Sequence, residues 1–258
     1  MTKRFLRILA VAVMAGLGVS PLTTLADGHV FDPFEPPAEG KGSVYGNVTA
    51  RPHKDYVRKA VDRASKNIIV EDPELYGASA DGKIVYNDTM VNYELVDVYA
   101  ILLNPAAKPG KVHEVEAETD EGLAPQALAV AKGDVIRIEN DTPKPLTFFL
   151  VDINGDAIQE LPTLAPGATA DMTVELAGDL ELSTDEDERL KAAVLSREGL
   201  QSRRIRSGST YDFRDMPPGE YDLLFWFWRL GALNQKVTIV AGEHTRVNGV
   251  LSVDTIVR

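Results

Sequence analysis

The sequence predicts a mostly β protein made of two antiparallel β-sandwiches, with one or two short surface helices. Apolar segments that alternate or run continuously recur at spacings of about 10 residues, which is typical of sandwiches and barrels. Turn residues separate them, as at Asn154-Gly155 and Pro217-Pro218-Gly219. A mature chain of about 230 residues is long enough for two modest cores without disulfides.

Residues 1–26 are predicted to be a secretory signal peptide. A basic start precedes an apolar run from Ile8 to Val19, and small residues follow before Asp27. The alternative is a retained membrane anchor, but a run of about 12 residues is short of the roughly 20 that a spanning helix needs. We therefore expect a periplasmic or secreted bacterial protein with no membrane insertion after signal cleavage.

The charge and the missing cysteines narrow the function further. The chain carries a formal net charge of -12, and residues 1–26 contain basic but no acidic side chains, so cleavage makes it more negative. Such a charge opposes binding to nucleic acid and to anionic lipid. Because the chain has no cysteine, it can hold no disulfide, thiol nucleophile or cysteine-ligated metal. Other periplasmic or outer-membrane proteins are the expected partners.

Residues 27–42, rich in proline and glycine, are expected to form an extended leader. Residues 43–105 are expected to supply strands and a helix that pack on the sandwiches. The last of these strands is nearly continuous in apolar content, which favours a central position in a sheet. The expected elements are strands at Ser43–Ala50, Lys83–Tyr86 and Tyr93–Leu103, and a helix at Lys54–Lys66 with Val57, Ala60, Val61 and Ala64 on one face.

Residues 106–199 are predicted to form the first complete sandwich. A capping box, Ser183 followed by Glu186, and the acidic run that follows it predict a helix from about Thr184 to Glu198. Before that helix the expected strands are Val135–Glu139, Leu146–Val151, Ala170–Leu176 and Gly178–Leu182.

Residues 200–258 are predicted to form the second sandwich. After Pro217-Pro218-Gly219, both alternating sets of the strand from Tyr221 to Trp228 are largely apolar, so we expect it to be covered on both faces. Strands at Val237–Val240 and Val247–Val253 are expected to complete an antiparallel meander. The residue pattern from Phe213 to Tyr221 resembles that of the carboxypeptidase-regulatory-like module. This resemblance implies a small transthyretin-like sandwich of a generally non-enzymatic kind.

A second resemblance covers Gly122 to Trp228. Leu123-Ala124-Pro125, then Val130 to Gly133, then Glu139-Asn140-Asp141 resemble cupredoxin-type periplasmic proteins related to methylamine-utilisation proteins. The resemblance implies a cupredoxin-like sandwich followed by the regulatory-like module.

That resemblance also implies a copper site, and the sequence departs from it at each ligand position. Leu146 stands where the first histidine is expected, Ser183 near the cysteine position, and Phe227 where the second histidine would be. A blue-copper centre needs a thiolate and two imidazoles. We therefore expect a cupredoxin-like sandwich without copper, with no cofactor and no metal ligands.

No pattern predicts a catalytic residue. His29, His53, His113 and His244 are scattered at no metal-ligand spacing. No phosphate-binding loop, nucleophile elbow or His-Glu-x-x-His motif is present, so we expect no enzyme.

The aromatic cluster Trp226, Phe227, Trp228 with Arg229 is the remaining candidate site. It has two interpretations: the seam between the two sandwiches, which we favour because large rings stabilise domain junctions, or an exposed binding patch.

Two functions are compatible with these patterns. The first is a secreted, periplasmic, non-catalytic binding or scaffold protein that acts through protein-protein contacts. The alternative is a periplasmic carrier of copper or another metal, or an electron-transfer accessory, that uses surface histidines such as His29 or His113.

Overall fold

The structure is a computed structural model that describes residues 35–50, 76–78, 84–86, 97–119 and 122–251, and every regular element within these ranges is a β-strand. The strands in chain order are β1 (Gly42–Ala50), β2 (Tyr76–Ala78), β3 (Ile84–Tyr86), β4 (Val98–Leu103), β5 (Val112–Glu118), β6 (Gly122–Ala124), β7 (Ala127–Ala131), β8 (Val135–Asn140), β9 (Phe148–Val151), β10 (Ala157–Glu160), β11 (Thr169–Thr173), β12 (Gly178–Thr184), β13 (Ala192–Arg197), β14 (Leu200–Ile205), β15 (Thr210–Met216), β16 (Gly219–Phe227), β17 (Gly231–Ile239), β18 (His244–Arg246) and β19 (Gly249–Leu251).

Two sheets form what we call the terminal sandwich. One has the order β14-β4-β16-β17, and the other has β15-β1-β18, with β19 also paired to β1. Their facing side chains share one buried core. The early strands β1 and β4 therefore lie within the same sandwich as the strands after residue 200.

Nine strands, β5 to β13, form the inserted sandwich. Its sheets have the orders β10-β9-β12-β13-β7 and β11-β8-β5-β6, and a second core lies between them. Most pairs are antiparallel, but β5 runs parallel to β8 and β13 parallel to β7. The predicted class of two β-sandwiches is confirmed.

The chain enters and leaves the inserted sandwich at one narrow neck. The amide of Asn104 donates to the carbonyl of Gly199 at 2.8 Å, directly after Leu103 and Leu200 have paired between β4 and β14. Gly199 has φ +65°, and a Cβ there would lie 2.4 Å from the carbonyl oxygen of Asn104. Only glycine fits this crossing, because it tolerates both the positive φ and the close approach.

A third core, the seam, joins the two sandwiches. The phenol of Tyr99 donates to the carbonyl of Ala127 at 2.7 Å, and its ring lies 5.6 Å from that of Trp226. Small side chains on β7 let the sheet of β4 and β16 approach closely. The buried residues of the seam are Tyr99, Ile101, Ala127, Ala129, Ala131, Leu195, Leu200, Leu224 and Trp226.

The seam explains why two strands, β4 and β16, are apolar on both faces. In β16, Leu223 and Phe225 enter the terminal core while Leu224 and Trp226 enter the seam. The prediction that this strand is covered on both faces is confirmed. The central position predicted for the strand ending at Leu103 is confirmed as well, since β4 lies between β14 and β16.

The helix predicted from Thr184 to Glu198 is wrong. Strand β12 runs to Thr184, and Ala192–Arg197 form β13, which pairs with both β12 and β7. Because those two neighbours supply hydrogen bonds along both edges, strand pairing overrides the local helix signals. The side chains of Asp187 and Arg189 pair within a turn instead.

The antiparallel meander predicted for the last strands is also wrong in its third member. Strands β16 and β17 form an antiparallel hairpin, as expected. After the turn at Gly242, however, β18 and β19 cross to the opposite sheet and run parallel to β1. This crossing closes the terminal sandwich.

Several expectations fall outside the described residues, including the signal peptide at 1–26 and the helix at Lys54–Lys66. Within the described ranges no helix is long and apolar enough to cross a membrane.

Candidate functional site

Hydrocarbon fills the end of the inserted sandwich where the resemblance implies a metal site. Leu146 is 2% exposed and forms an isolated antiparallel bridge with Leu164, with backbone bonds of 3.0 and 2.7 Å. Leu190, also buried, belongs to the same core. We call the region of Leu146, Thr147, Leu164, Thr184 and Glu186 the closed end.

A carboxylate fastens the closed end from outside. One oxygen of Glu186 accepts hydrogen bonds from the hydroxyl of Thr184 and from the amide of Thr147, the latter at 3.2 Å. The hydrogen bond from Thr184 is the main reason why the pKa of Glu186 lies below its usual value. This carboxylate therefore ties the loop after β12 to the segment before β9.

A buried amide positions the segment that leads into the closed end. Asn140 is fully buried, and its Nδ2 donates to the carbonyls of Lys144 and Leu164 at 2.9 and 3.0 Å. Its Oδ1 accepts from the amide and the hydroxyl of Thr142. With donors and acceptor all used, the loop around Thr142 has one arrangement.

The residues at the implied ligand positions do not fit copper. Leu146 and Phe227 lie in different cores, one in each sandwich, while Ser183 lies half-buried on β12 opposite Phe149. A trigonal copper site needs sulfur and imidazole donors from one place. In the ranges that the structure describes, no group of three or more histidine, aspartate or glutamate side chains is arranged to hold a metal.

The four residues of the aromatic cluster lie in three different places in the structure. Trp226 lies in the seam, and Phe227 lies in the terminal core. Trp228 is 38% exposed beyond the end of β16, where the Arg229 guanidinium lies 4.7 Å from its ring centroid. The cluster therefore forms no single patch.

A second region, which no sequence pattern indicated, is what we call the cationic cleft. It is a cavity of about 290 Å³ between the start of the inserted sandwich and strands β14 and β15. Four cations, a single carboxylate and several apolar side chains line it. Its lining residues are Ala107, Lys108, Lys111, His113, Asp134, Leu200, Gln201, Ser202, Arg203, Phe213, Arg214 and Met216.

The carboxylate of the cleft is already engaged. Asp134 accepts bonds from the amides of Gly110, Lys111 and Ala131 at 2.9 to 3.0 Å, and from His113 Nε2 at 2.9 Å. Burial alone would raise the pKa of Asp134, but these hydrogen bonds outweigh it and hold the pKa below its usual value. Asp134 therefore stays ionised while it fixes the loop that carries the lysines.

His113 is neutral in this setting. Burial lowers its pKa, and the ammonium of Lys111 acts in the same direction; together they outweigh the hydrogen bond to Asp134, which raises it. Neutral His113 donates its Nε2 proton to Asp134 and adds no charge to the cleft at neutral pH.

Gly133 allows the lysine loop to lie close to the inserted sandwich. It has φ +92°, and a Cβ there would lie 2.9 Å from Cβ of Pro109. The loop of Pro109 is thus held by this close approach and by Asp134. Lys108 and Lys111 project from a fixed backbone, although both are exposed at the surface.

Two arginines complete the opposite wall. The Arg203 guanidinium lies 5.1 Å from the ring centroid of buried Phe213 and donates to the main-chain carbonyls of Asp212 and Ser202. Arg214 pairs instead with two carboxylates, that of Asp212 at 2.8 Å and that of Glu35 at 3.7 Å. Arg203 therefore keeps its full charge while a buried ring and two carbonyls position it.

The comparisons with known proteins identify structural relatives only. No protein-family model matches the chain, and no curated protein matches it. Solved structures similar to part of it include a purple cupredoxin from Nitrosopumilus maritimus, with 18% identity, a TM-score of 0.30, and coverage of 33% of this chain and 98% of that one.

Two further similar structures are copper proteins as well. A reduced Cu(I) form of amicyanin has 15% identity and a TM-score of 0.29, and covers 38% of this chain and 98% of its own. A copper-containing nitrite reductase from Thermus scotoductus has 17% identity and a TM-score of 0.30, with coverage of 36% and 24%. At these identities and TM-scores the likeness carries no argument about function or metal content.

Proposed function

We propose that this protein is a secreted, non-catalytic binding or scaffold protein of the periplasm, in which a cupredoxin-like sandwich works without a metal and through contacts with other proteins. The observation that carries the proposal is the closed end. Leu146, for which the resemblance implies a histidine ligand, is buried and bridges Leu164, and Glu186 fastens the adjacent loop with hydrogen bonds.

The rigidity of the junction supports a scaffold role. The seam buries large side chains such as Tyr99 and Trp226 between the sandwiches, and the neck at Asn104 and Gly199 joins the two a second time. Two bodies held in this way present a fixed surface to a partner, which lowers the ordering cost of binding.

Copper titration tests the absence of the metal. We expect no saturable blue absorbance band and no type 1 signal in electron spin resonance, because leucine, serine and phenylalanine offer no soft donors. A stoichiometric type 1 site would contradict the proposal.

The alternative, a metal carrier that uses surface histidines, is tested by changing all four histidines to glutamine. Of the two that the structure describes, His113 bonds Asp134, and His244 lies 2.8 Å from the carbonyl of Glu35. We expect equal metal stoichiometry in the parent and the variant. A bound equivalent that disappears with the histidines would favour the carrier.

The contact surface is tested by crosslinking in periplasm. Trp228 and Arg229 form an exposed stacked pair at a hairpin tip, and Ile153, 83% exposed at another hairpin tip, offers a matched control. We expect Trp228→Ala to remove a specific crosslinked species that Ile153→Ala retains. Retention of every species by Trp228→Ala would contradict a partner contact at this tip.

A further inference from the structure

From the cationic cleft we infer that this protein binds a small organic oxyanion, a carboxylate or phosphate ester with a short apolar body. The site lies outside the closed end and between the two sandwiches. This inference goes beyond the proposed function, and either can fail without the other.

The charge around the cavity favours an anionic ligand. The chain as a whole has a formal net charge of -12, yet Lys108, Lys111, Arg203 and Arg214 surround one cavity. In the described part of the chain the two lysine ammonium groups have no ion-pair partner, and Arg203 bonds only main-chain carbonyls. A concave site in which cations outnumber carboxylates focuses its field on an anionic ligand.

The anion-binding groups are preorganised. Asp134 accepts hydrogen bonds from His113 and from the amides at the base of the lysine loop, so it holds the loop in place. Phe213 and two carbonyls hold Arg203. Groups fixed in this way lose little entropy when the ligand binds.

The size and lining of the cavity limit the ligand to a small molecule. Buried Leu200, Phe213 and Met216 line it together with the charged groups. About 290 Å³ is at the small end of ligand-binding cavities. The cavity thus fits a small molecule that combines an oxyanion with an apolar group.

The experiment uses the full secreted chain and three probes: phenyl phosphate, benzoate and inorganic phosphate, with benzyl alcohol as the neutral control. Binding is measured by calorimetry and by chemical-shift changes of the Gly110 and Lys111 amides. We expect phenyl phosphate to bind with a dissociation constant of about 1 mM or tighter and at least about tenfold more tightly than inorganic phosphate. Stronger binding of phenyl phosphate than of benzoate identifies a phosphate ester, and the reverse identifies a carboxylate.

Variants assign the binding to the cleft. Arg203→Ala and Lys111→Ala are each expected to weaken the better organic probe about tenfold, because each removes a charged hydrogen-bond donor. Lys236→Ala is the control, since Lys236 is an exposed cation paired with Asp222 at 2.8 Å on β17, the strand at the opposite edge of the sheet from β14. It is expected to leave affinity unchanged.

Three outcomes would overturn the inference. In the first, neither organic anion binds at about 10 mM. In the second, Lys236→Ala loses as much affinity for the organic anion as Arg203→Ala does. In the third, benzyl alcohol binds as tightly as the anions. Equal affinity for inorganic phosphate and the organic anions would overturn the apolar part of the ligand. Copper titration is independent of all these results, so failure here is distinguishable from failure of the proposed function.

Discussion

The closed end and the cationic cleft each contain a carboxylate that accepts several hydrogen bonds, but the first region is filled and the second is an open cavity. At the closed end, Glu186 accepts hydrogen bonds from Thr184 and Thr147 and seals a core of leucines. At the cleft, Asp134 accepts hydrogen bonds from amides and His113, but Lys108, Lys111 and Arg203 around it are exposed to solvent. The same kind of hydrogen-bonded carboxylate thus lies beside a filled core in one region and beside a cavity in the other, and the cavity is at the junction of the two sandwiches.

The seam joins the sandwich that contains the closed end to the one that supplies Arg203 and Phe213 to the cleft. Trp226→Ala should lower the free energy of unfolding by about 3–5 kcal/mol, because a buried indole is replaced by a cavity. Trp226 is 7% exposed whereas Trp228 is 38% exposed, so Trp228→Ala is the control, with an expected change of about 0.5 kcal/mol or less. Urea denaturation measures both. Equal effects would show that the seam does not support the fold.

The closed end should behave as core. Leu146→Ala should cost about 2–5 kcal/mol in urea denaturation, since a leucine that is 2% exposed leaves a cavity. Affinity for phenyl phosphate should be unchanged, because the cleft lies elsewhere. A loss of stability well under 1 kcal/mol would mean that this end is loosely packed and not closed.

The cleft should make stability depend on pH. His113 has a folded pKa below its unfolded value, so the unfolded chain takes up a proton first and stability falls as pH drops through about 6.5. Asp134 has a lowered pKa as well, and its contribution is present above an unfolded value of about 3.9 and is lost as pH falls further.

His113→Gln tests the direction of this pH dependence. The variant removes the loss of stability that His113 causes at the higher pH, while the glutamine amide can still donate a hydrogen bond to Asp134. Thermal unfolding between about pH 5 and 8 should therefore become flatter in the variant than in the parent. A parent that gains stability as pH falls through this window would contradict the lowered pKa of His113.

The smallest expected effect on stability is that of Arg203→Ala. Arg203 is exposed and has no carboxylate partner in the described ranges, so the change should cost about 0.5 kcal/mol or less. The same variant should lose organic-anion affinity. A large loss of stability would make Arg203 a structural residue and weaken the contrast with the closed end.

The parts of the fold that sequence predicted well have local causes. The strand after Pro217-Pro218-Gly219 was predicted with its two covered faces because alternation and turn chemistry act within a few residues. The helix at Thr184 to Glu198 was wrong for a related reason. A hydroxyl followed by acidic side chains caps a helix or fastens a turn equally well, and here Glu186 bonds Thr184 across a turn.

The candidate site could not be predicted because its residues are distant in sequence. Lys111 and His113 begin the inserted sandwich, whereas Arg203 and Phe213 belong to the terminal one. No motif spacing links such segments. The pairing of β4 with β14 across nearly the whole insertion brings them together.

The neck between Asn104 and Gly199 has a consequence for how the chain assembles during synthesis. All strands from β5 to β13 are synthesised before β14, so the inserted sandwich can fold while β1 and β4 still lack their partner strands. Pairings between residues so far apart in sequence are slow to form because their loop-closure entropy must be overcome first. A folded insertion would shorten that loop to the width of the neck, so we expect β4 and β14 to pair faster once the inserted sandwich has folded.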